Sequence, residues 1–260
     1  MNALALTPEL LALLLAFAFL AGFIDAVAGG GGLVQVPALF ILMPQAPAAT
    51  LLGTNKFASI WGTAFAAVQY GRRMPMEWRA TLPTCAAATL FGFLGARTVA
   101  QLPGDFMRPL VLALLIAVLA YTLRRKELGA LHAPRLSAPQ QSWVGLATGS
   151  ALGFYDGFFG PGTGSFLIIA FVGLFGFSFL AASASAKVVN VITNLAALAY
   201  FVSNDLVQYA TAIPMAACNV AGSLLGTQLA LKLGSRFVRR VFLLVVSALI
   251  LRFAWDLVRA

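Results

Sequence analysis

The sequence is short of charge: only 10% of its 260 residues are Asp, Glu, Lys or Arg. Soluble domains carry about 25%, so an ordinary soluble globular domain is excluded. Cysteine is nearly absent. Cys85 and Cys218 each lie in an apolar run with no metal-ligand spacing, which excludes a cysteine metal site and leaves two free, membrane-buried thiols. Histidine is rarer still, with His132 alone in a polar stretch. A serine nucleophile needs a base within hydrogen-bond reach, so Gly164-Ser165-Phe166 does not read as an intramembrane serine protease. No catalytic residue, metal or cofactor is expected, and the chain reads as a non-enzyme. The acids number eight against 17 Lys and Arg, for a net charge of +9. That excess does not point to nucleic acid. The basic residues form short clusters between apolar runs: Arg72-Arg73, Arg124-Arg125-Lys126, and Lys232 with Arg236, Arg239 and Arg240. Such clusters are topology determinants of membrane proteins.

What is abundant is apolar surface: 61% of residues are hydrophobic and mean hydropathy is +0.92. Apolar runs cover 10–28, 33–43, 48–70, 80–101, 109–123, 142–159 and 164–176, and continue to the end. A helix needs roughly 20 apolar residues to cross the hydrocarbon. The chain therefore reads as an all-α polytopic membrane protein. The first run lacks a basic leader and flows into a glycine cluster, so it reads as a retained segment.

That cluster, Gly22-Phe23-Ile24-Asp25-Ala26-Val27-Ala28-Gly29-Gly30-Gly31-Gly32, is repeated in pattern as Gly153-Phe154-Tyr155-Asp156-Gly157-Phe158-Phe159-Gly160-Pro161-Gly162-Thr163-Gly164. Gly22 and Gly153, Asp25 and Asp156, Gly29 and Gly160 are each 131 positions apart. So are Lys56 and Lys187, Pro83 and Pro214, Gly95 and Gly226, Phe106 and Phe237, Arg108 and Arg239. A single offset over so long a stretch marks a duplication. The expected organisation is an N-terminal transmembrane repeat at 1–127, a cytoplasmic linker at 128–141 and a C-terminal transmembrane repeat at 142–260. Basic loops switch sides between equivalent positions: 72–79 is basic in the first half, 232–240 in the second. Equivalent loops on opposite sides mean inverted topology. Five segments per half fit this, with both termini extracytoplasmic. Each half would hold a glycine-broken helix pair, re-entrant or kinked, plus three spanning helices. At a rise of 1.5 Å per residue, 33–43 reaches only about 16 Å, roughly half the hydrocarbon; 164–176 is similarly short.

The residues G-F-I-D-A-V-A-G-G-G-G-L-V-Q-V-P-A-L at 22–39, G-T-N-K at 53–56, and G-F-Y-D-G-F-F-G-P-G-T-G-S-F with Lys187 resemble the TauE/SafE family, the sulfite and organosulfonate exporters. The resemblance covers nearly the whole chain. It implies a secondary transporter of small anions (sulfite, thiosulfate, sulfonates or related organic anions) in the bacterial inner membrane. Pro161 replaces Gly30 and Ala186 replaces Asn55 in the second copy, so the halves are not strictly equivalent.

Asp25 and Asp156 are candidate proton-coupling or gating residues, because a carboxylate in an apolar helix must face a cavity or a partner. They also read as caps on the backbone freed by the breaks. Lys56 and Lys187 read as anion ligands, as partners of the aspartate of the same half, or as snorkelling side chains. Gly29, Gly30, Gly31, Gly32, Gly162 and Gly164 leave helix N-termini whose N–H groups and dipole attract anions; close helix packing is the plainer reading. Thr163 and Ser165 would add hydroxyl donors. Thr54, Asn55, Asn190 and Asn194 line the pathway or bond between helices. Arg97 reads as a snorkelling surface residue, and Trp61, Tyr70, Trp78 and Trp255 as interfacial or packing aromatics. The partners expected are a small anionic substrate and the lipid bilayer; a homodimer is left open, and nucleic acid is not expected. A passive anion channel uses the same parts and stands as the alternative to a carrier.

Overall fold

The computed structural model describes residues 7–74, 76–103, 106, 109–114, 116–117, 133–233 and 255. Among them the chain is all helix: α1 Pro8–Ala28, α2 Gly32–Leu42, α3 Ala48–Gly71, α4 Trp78–Ala100, α5 Ala138–Phe158, α6 Thr163–Gly173, α7 Phe179–Ser203 and α8 Tyr209–Leu233. Four are long and apolar enough to cross a membrane: Pro8–Ala28, Trp78–Ala100, Phe179–Ser203 and Tyr209–Ala230. The run expected at 109–123 is helical at 109–114 and 116–117. Its remainder, the linker up to His132 and the Arg124–Lys126 cluster lie outside the described residues. So do Arg108, the basic residues Arg236, Arg239 and Arg240, the fifth segment of the second half and both termini.

Helix starts follow local chemistry. Thr7 Oγ1 accepts from Leu10 N at 3.4 Å, with Pro8 in the first turn of α1. Ser137 and Gln140 form a capping box on α5, and Ser178 caps α7. Helix ends follow glycine. Gly29 turns to φ 76° and its N–H closes on Asp25 O, stopping α1 one turn past the aspartate. Three residues later α2 begins. In the second half, Gly160 (φ 92°) and Gly162 (φ 85°) make the equivalent stop and restart around Pro161. These φ values lie where a side chain is strained and glycine is not.

The halves pack into each other. α1 lies along α8, and α5 lies along α4. The contacts correspond residue by residue. A Cβ at Gly22 would strike the backbone of Asn219, and one at Gly153, 131 positions on, would strike the backbone of Ala88. Likewise Gly226 abuts Phe23, and Gly95 abuts Phe154. Glycine here lets two backbones touch, the usual way of joining helices where lipid removes the hydrophobic drive. α3 packs on α8, α4 on α7, and α3 and α7 on each other between them. α2 and α6 are enclosed: Leu33, Val34 and Leu39 of α2 and Leu167 and Phe171 of α6 are at most 1% exposed, well inside the packed body.

Candidate functional site

The two glycine breaks touch. Ser165 N donates to Gly29 O at 3.1 Å and Ser165 Oγ donates to Ala28 O at 2.5 Å. A Cβ at Gly29 would run into Gly164, and one at Gly32 would come within 3.0 Å of Pro161. The N-terminal peptide groups of α2 and α6 thus border one small cavity of about 30 Å³. That is room for about one or two waters.

Its polar wall comes from five other helices. α1 and α5 bring Asp25 and Asp156. α3 brings Asn55, Lys56, Ser59 and Thr63. α7 brings Asn190 and Asn194, and α8 brings Asn219. Lys56, Ser59 and Thr63 lie at i, i+3 and i+7, so one face of α3 presents them all. Asn190 and Asn194 sit at the positions of α7 that match Ser59 and Thr63.

The charges are paired, and the pairs cross. Lys56 Nζ donates to Asp156 Oδ2 at 2.7 Å, with side chains 4% and 2% exposed. Lys187 Nζ donates to Asp25 Oδ2 at 2.8 Å, with side chains 1% and 12% exposed. Each lysine therefore meets the aspartate of the opposite half. The expectation of a pair within each half is corrected: α3 packs against α7 and α5 against α4, which delivers each lysine to the other break. Snorkelling is corrected too, since both ammonium groups are buried. Lys187 also donates to the main-chain carbonyl of Asp25, and Thr63 Oγ1 donates to Asp25 Oδ2 at 3.0 Å.

Other expected residues fall apart from the cavity. Thr163 Oγ1 donates to Gly160 O at 2.7 Å, and Ser165 is held by Ala28 as above, so neither hydroxyl is offered to a ligand. Gly30 and Lys187 are also off the wall. Thr54 Oγ1 accepts from Gln208 N at 3.0 Å, a tie to the start of α8. Tyr70 is no interfacial anchor: it is buried and its hydroxyl donates to Ala26 O. Trp61, Trp78 and Trp255 are exposed, as are Arg97 and its counterpart Gln228.

The structure adds Ser59, Thr63, Gly160, Gln35 and Asn219. The first two were findable from Lys56 by helical spacing, and Gly160 from the repeat. Asn219 had no signal, since its counterpart is Ala88. It donates to Gln35 Oε1 at 3.1 Å and to Ala18 O at 3.2 Å, and Gln35 Nε2 reaches Asn55 O at 3.4 Å. Asn55 Oδ1 has no hydrogen-bond partner, although the residue is 4% exposed. Buried polar atoms are rarely left so; this one stands on a cavity wall where a ligand or water can serve it.

Long apolar helices around a polar centre that holds two ion pairs define an integral membrane protein with an internal polar site, and comparison with known proteins gives its kin. The family model described as Sulfite exporter TauE/SafE matches residues 14–253. The "Probable membrane transporter protein ORF9" of Sinorhizobium sp is 34% identical over 248 residues, 95% of this chain and 94% of that one. A "Probable membrane transporter protein" of Haemophilus influenzae is 33% identical over 248 residues, 95% and 96% of the two chains. The "Probable membrane transporter protein YfcA" of Escherichia coli K12 is 33% identical over 250 residues, 96% and 91%. No solved structure matches the chain. The chain belongs to the TauE/SafE family of membrane transporters.

Proposed function

We propose that this protein is a secondary transporter that moves small anions (sulfite, thiosulfate, sulfonates or related organic anions) across the bacterial inner membrane with coupled protons. One observation carries the proposal: two helix N-termini, Lys56 with Asp156, and Asp25 of the other Lys–Asp pair border one small polar cavity. The helix ends supply fixed positive potential, and a charged ligand there needs no charged side chain of its own. The two lysines and two aspartates sum to zero. An anion therefore gains net attraction only if it displaces a carboxylate or if a carboxylate takes up a proton. Proton and anion then bind together.

The expected site residues divide by what supports them. Gly29, Gly31, Gly32, Asn55, Lys56, Gly162, Gly164, Asn190 and Asn194 border the cavity and are proposed to hold the anion, with Asp25 and Asp156 coupling or gating. Gly30, Thr163, Ser165 and Lys187 act by shaping the breaks and holding the pairs. A cavity of about 30 Å³ is too small for a sulfur oxyanion, so the breaks must part to admit one.

The proposed architecture is two inverted repeats, 1–127 and 142–260, joined by a cytoplasmic linker, with both termini outside. Support comes from the constant offset, the switched basic loops and the exchanged contacts of α1–α8 and α5–α4. Alternating access would then rock one half against the other around the fixed site. The test is flux in liposomes carrying purified protein. Expected are saturable counterflow of labelled sulfite, thiosulfate or a sulfonate, and accumulation driven by an imposed pH gradient. Non-saturable flux without counterflow would mark a channel, and no flux of any of them would refute the substrate class.

A further inference from the structure

We propose that the two crossed ion pairs have unlike tasks: the incoming anion opens Lys56–Asp156 and the released Asp156 takes up the proton, while Lys187–Asp25 stays closed and clamps the two breaks together. This rests on the anion-transport reading above. The pairs are equivalent in sequence and unequal in surroundings. Lys187 is off the cavity wall and donates twice to one residue, to Asp25 Oδ2 and to the Asp25 carbonyl. Thr63 Oγ1 lies 3.0 Å from the same Oδ2 and from Ser59 O, and shares its one proton between them. Asp25 itself is on the wall, with its side chain 12% exposed. These bonds hold Asp25 as the carboxylate and keep Lys187 in place, so this pair stays shut when an anion enters.

Lys56 is the reverse case. It lies on the wall and makes one hydrogen bond, to Asp156 Oδ2. The counterpart of Thr63 is Asn194, which makes no bond to Asp156 among the described residues. Asn55, the neighbour of Lys56, carries the partnerless Oδ1, a buried acceptor on the wall open to a water or to a protonated group in the site. Its counterpart beside Lys187 is Ala186. Gly160 makes room for the ammonium: a Cβ there would come within 3.0 Å of Lys56 Nζ. An anion arriving at Lys56 exchanges one oxygen for another and leaves the ammonium satisfied. At Lys187 it would have to break two bonds to a nitrogen it cannot reach from the cavity.

The charged groups facing Asp156 are few among the described residues. Lys56 comes from α3, and Asp25 with its partner Lys187 stands across the cavity on α1 and α7. α2 and α6 carry no charged residue, and Arg79 and Arg97 of α4, the helix packed on α5, are exposed. Tyr155 of α5 donates to the Pro161 carbonyl. With the anion on Lys56 and Asp156 released, the site has gained one negative charge on a buried carboxylate without a partner. One proton on Asp156 cancels it, because an unpaired buried charge neutralises rather than stay desolvated, so the coupling is one proton per monovalent anion.

Two neutral double variants separate the tasks without leaving a buried charge alone. Binding of methanesulfonate and thiosulfate to purified protein is measured by calorimetry in buffers of different ionisation enthalpy, which counts the protons taken up. K187Q/D25N is expected to bind the probes with proton uptake retained, and at least about tenfold more tightly than K56Q/D156N, which is expected to take up no proton. Equal losses in the two, or the reverse order, overturn the proposal. Infrared difference spectra on adding the anion at fixed pH give an independent readout. A protonated carboxyl band is expected in wild type and K187Q/D25N and absent from K56Q/D156N; a band that survives in K56Q/D156N overturns the assignment. Wild-type protein that binds neither probe sinks the transport reading, whereas binding with equal losses in the two variants sinks only the division of tasks.

Discussion

Replacing Lys56 with glutamine takes from Asp156, whose side chain is 2% exposed, the ion-pair partner it has among the described residues. Removing one member of a buried pair costs about 3–5 kcal/mol, because the other charge stays desolvated and alone. The glutamine amide can still donate one hydrogen bond, which returns about 0.5–1.5 kcal/mol. The net loss expected for Lys56→Gln is therefore about 2–4 kcal/mol. Asp156→Asn leaves the ammonium unpaired instead and is expected to lose a similar amount. The double variant K56Q/D156N puts two amides where two charges stood and is expected within about 1 kcal/mol of wild type. The coupling free energy is then at least about 2 kcal/mol, large for any pair of side chains. The Lys187–Asp25 cycle should run the same way with a smaller Lys187→Gln term. Asp25 keeps the Thr63 hydroxyl and is 12% exposed at the cavity. The assay is reversible unfolding of purified protein in mixed detergent micelles, with all four members of each cycle compared. A coupling below about 0.5 kcal/mol would mean that the pairs do not form across the halves, and the geometry of the site would be wrong.

Two further outcomes follow from the packing. Gly22→Ala and Gly153→Ala each push a methyl group into backbone, of Asn219 and Ala88 respectively. Each is expected to lower stability by about 1–3 kcal/mol, the usual loss on overpacking, and thermal unfolding should find the two effects alike. Asn219→Ala removes the donor to Gln35 Oε1 and Ala18 O in a buried place. An expected loss of about 1–3 kcal/mol should fall to near zero in the double variant with Gln35→Leu, as unfolding midpoints of the two would reveal.

Much of the site could be read from the chain because it is written along single helices. Asp25 precedes its glycine break by four residues, and Asp156 precedes its own by the same number. The break stops the helix whatever surrounds it, since Gly29, Gly160 and Gly162 adopt backbone angles that other residues resist. The short helices α2 and α6 follow from where those stops fall. Helical spacing alone puts Ser59 and Thr63 on the face of Lys56. The constant offset was legible because the same residues recur 131 positions apart in the same order.

Partner choice was not legible. Nothing local distinguishes a lysine that meets the aspartate of its own half from one that meets the other, because sequence separation says little about which helices touch. That was decided by tertiary packing: glycines of α1 and α8, and of α4 and α5, let helices of opposite halves approach to backbone contact. Once they do, Lys56 reaches Asp156 and Lys187 reaches Asp25. Asn219 enters the site for the same reason, through the helix that Gly22 admits. The sequence by itself determined a membrane protein of apolar helices, twice interrupted at glycine, with an aspartate before each break and a lysine in a later helix. Only the tertiary structure decided which charges neutralise each other, because that depends on distances between helices, which no periodicity within one helix encodes.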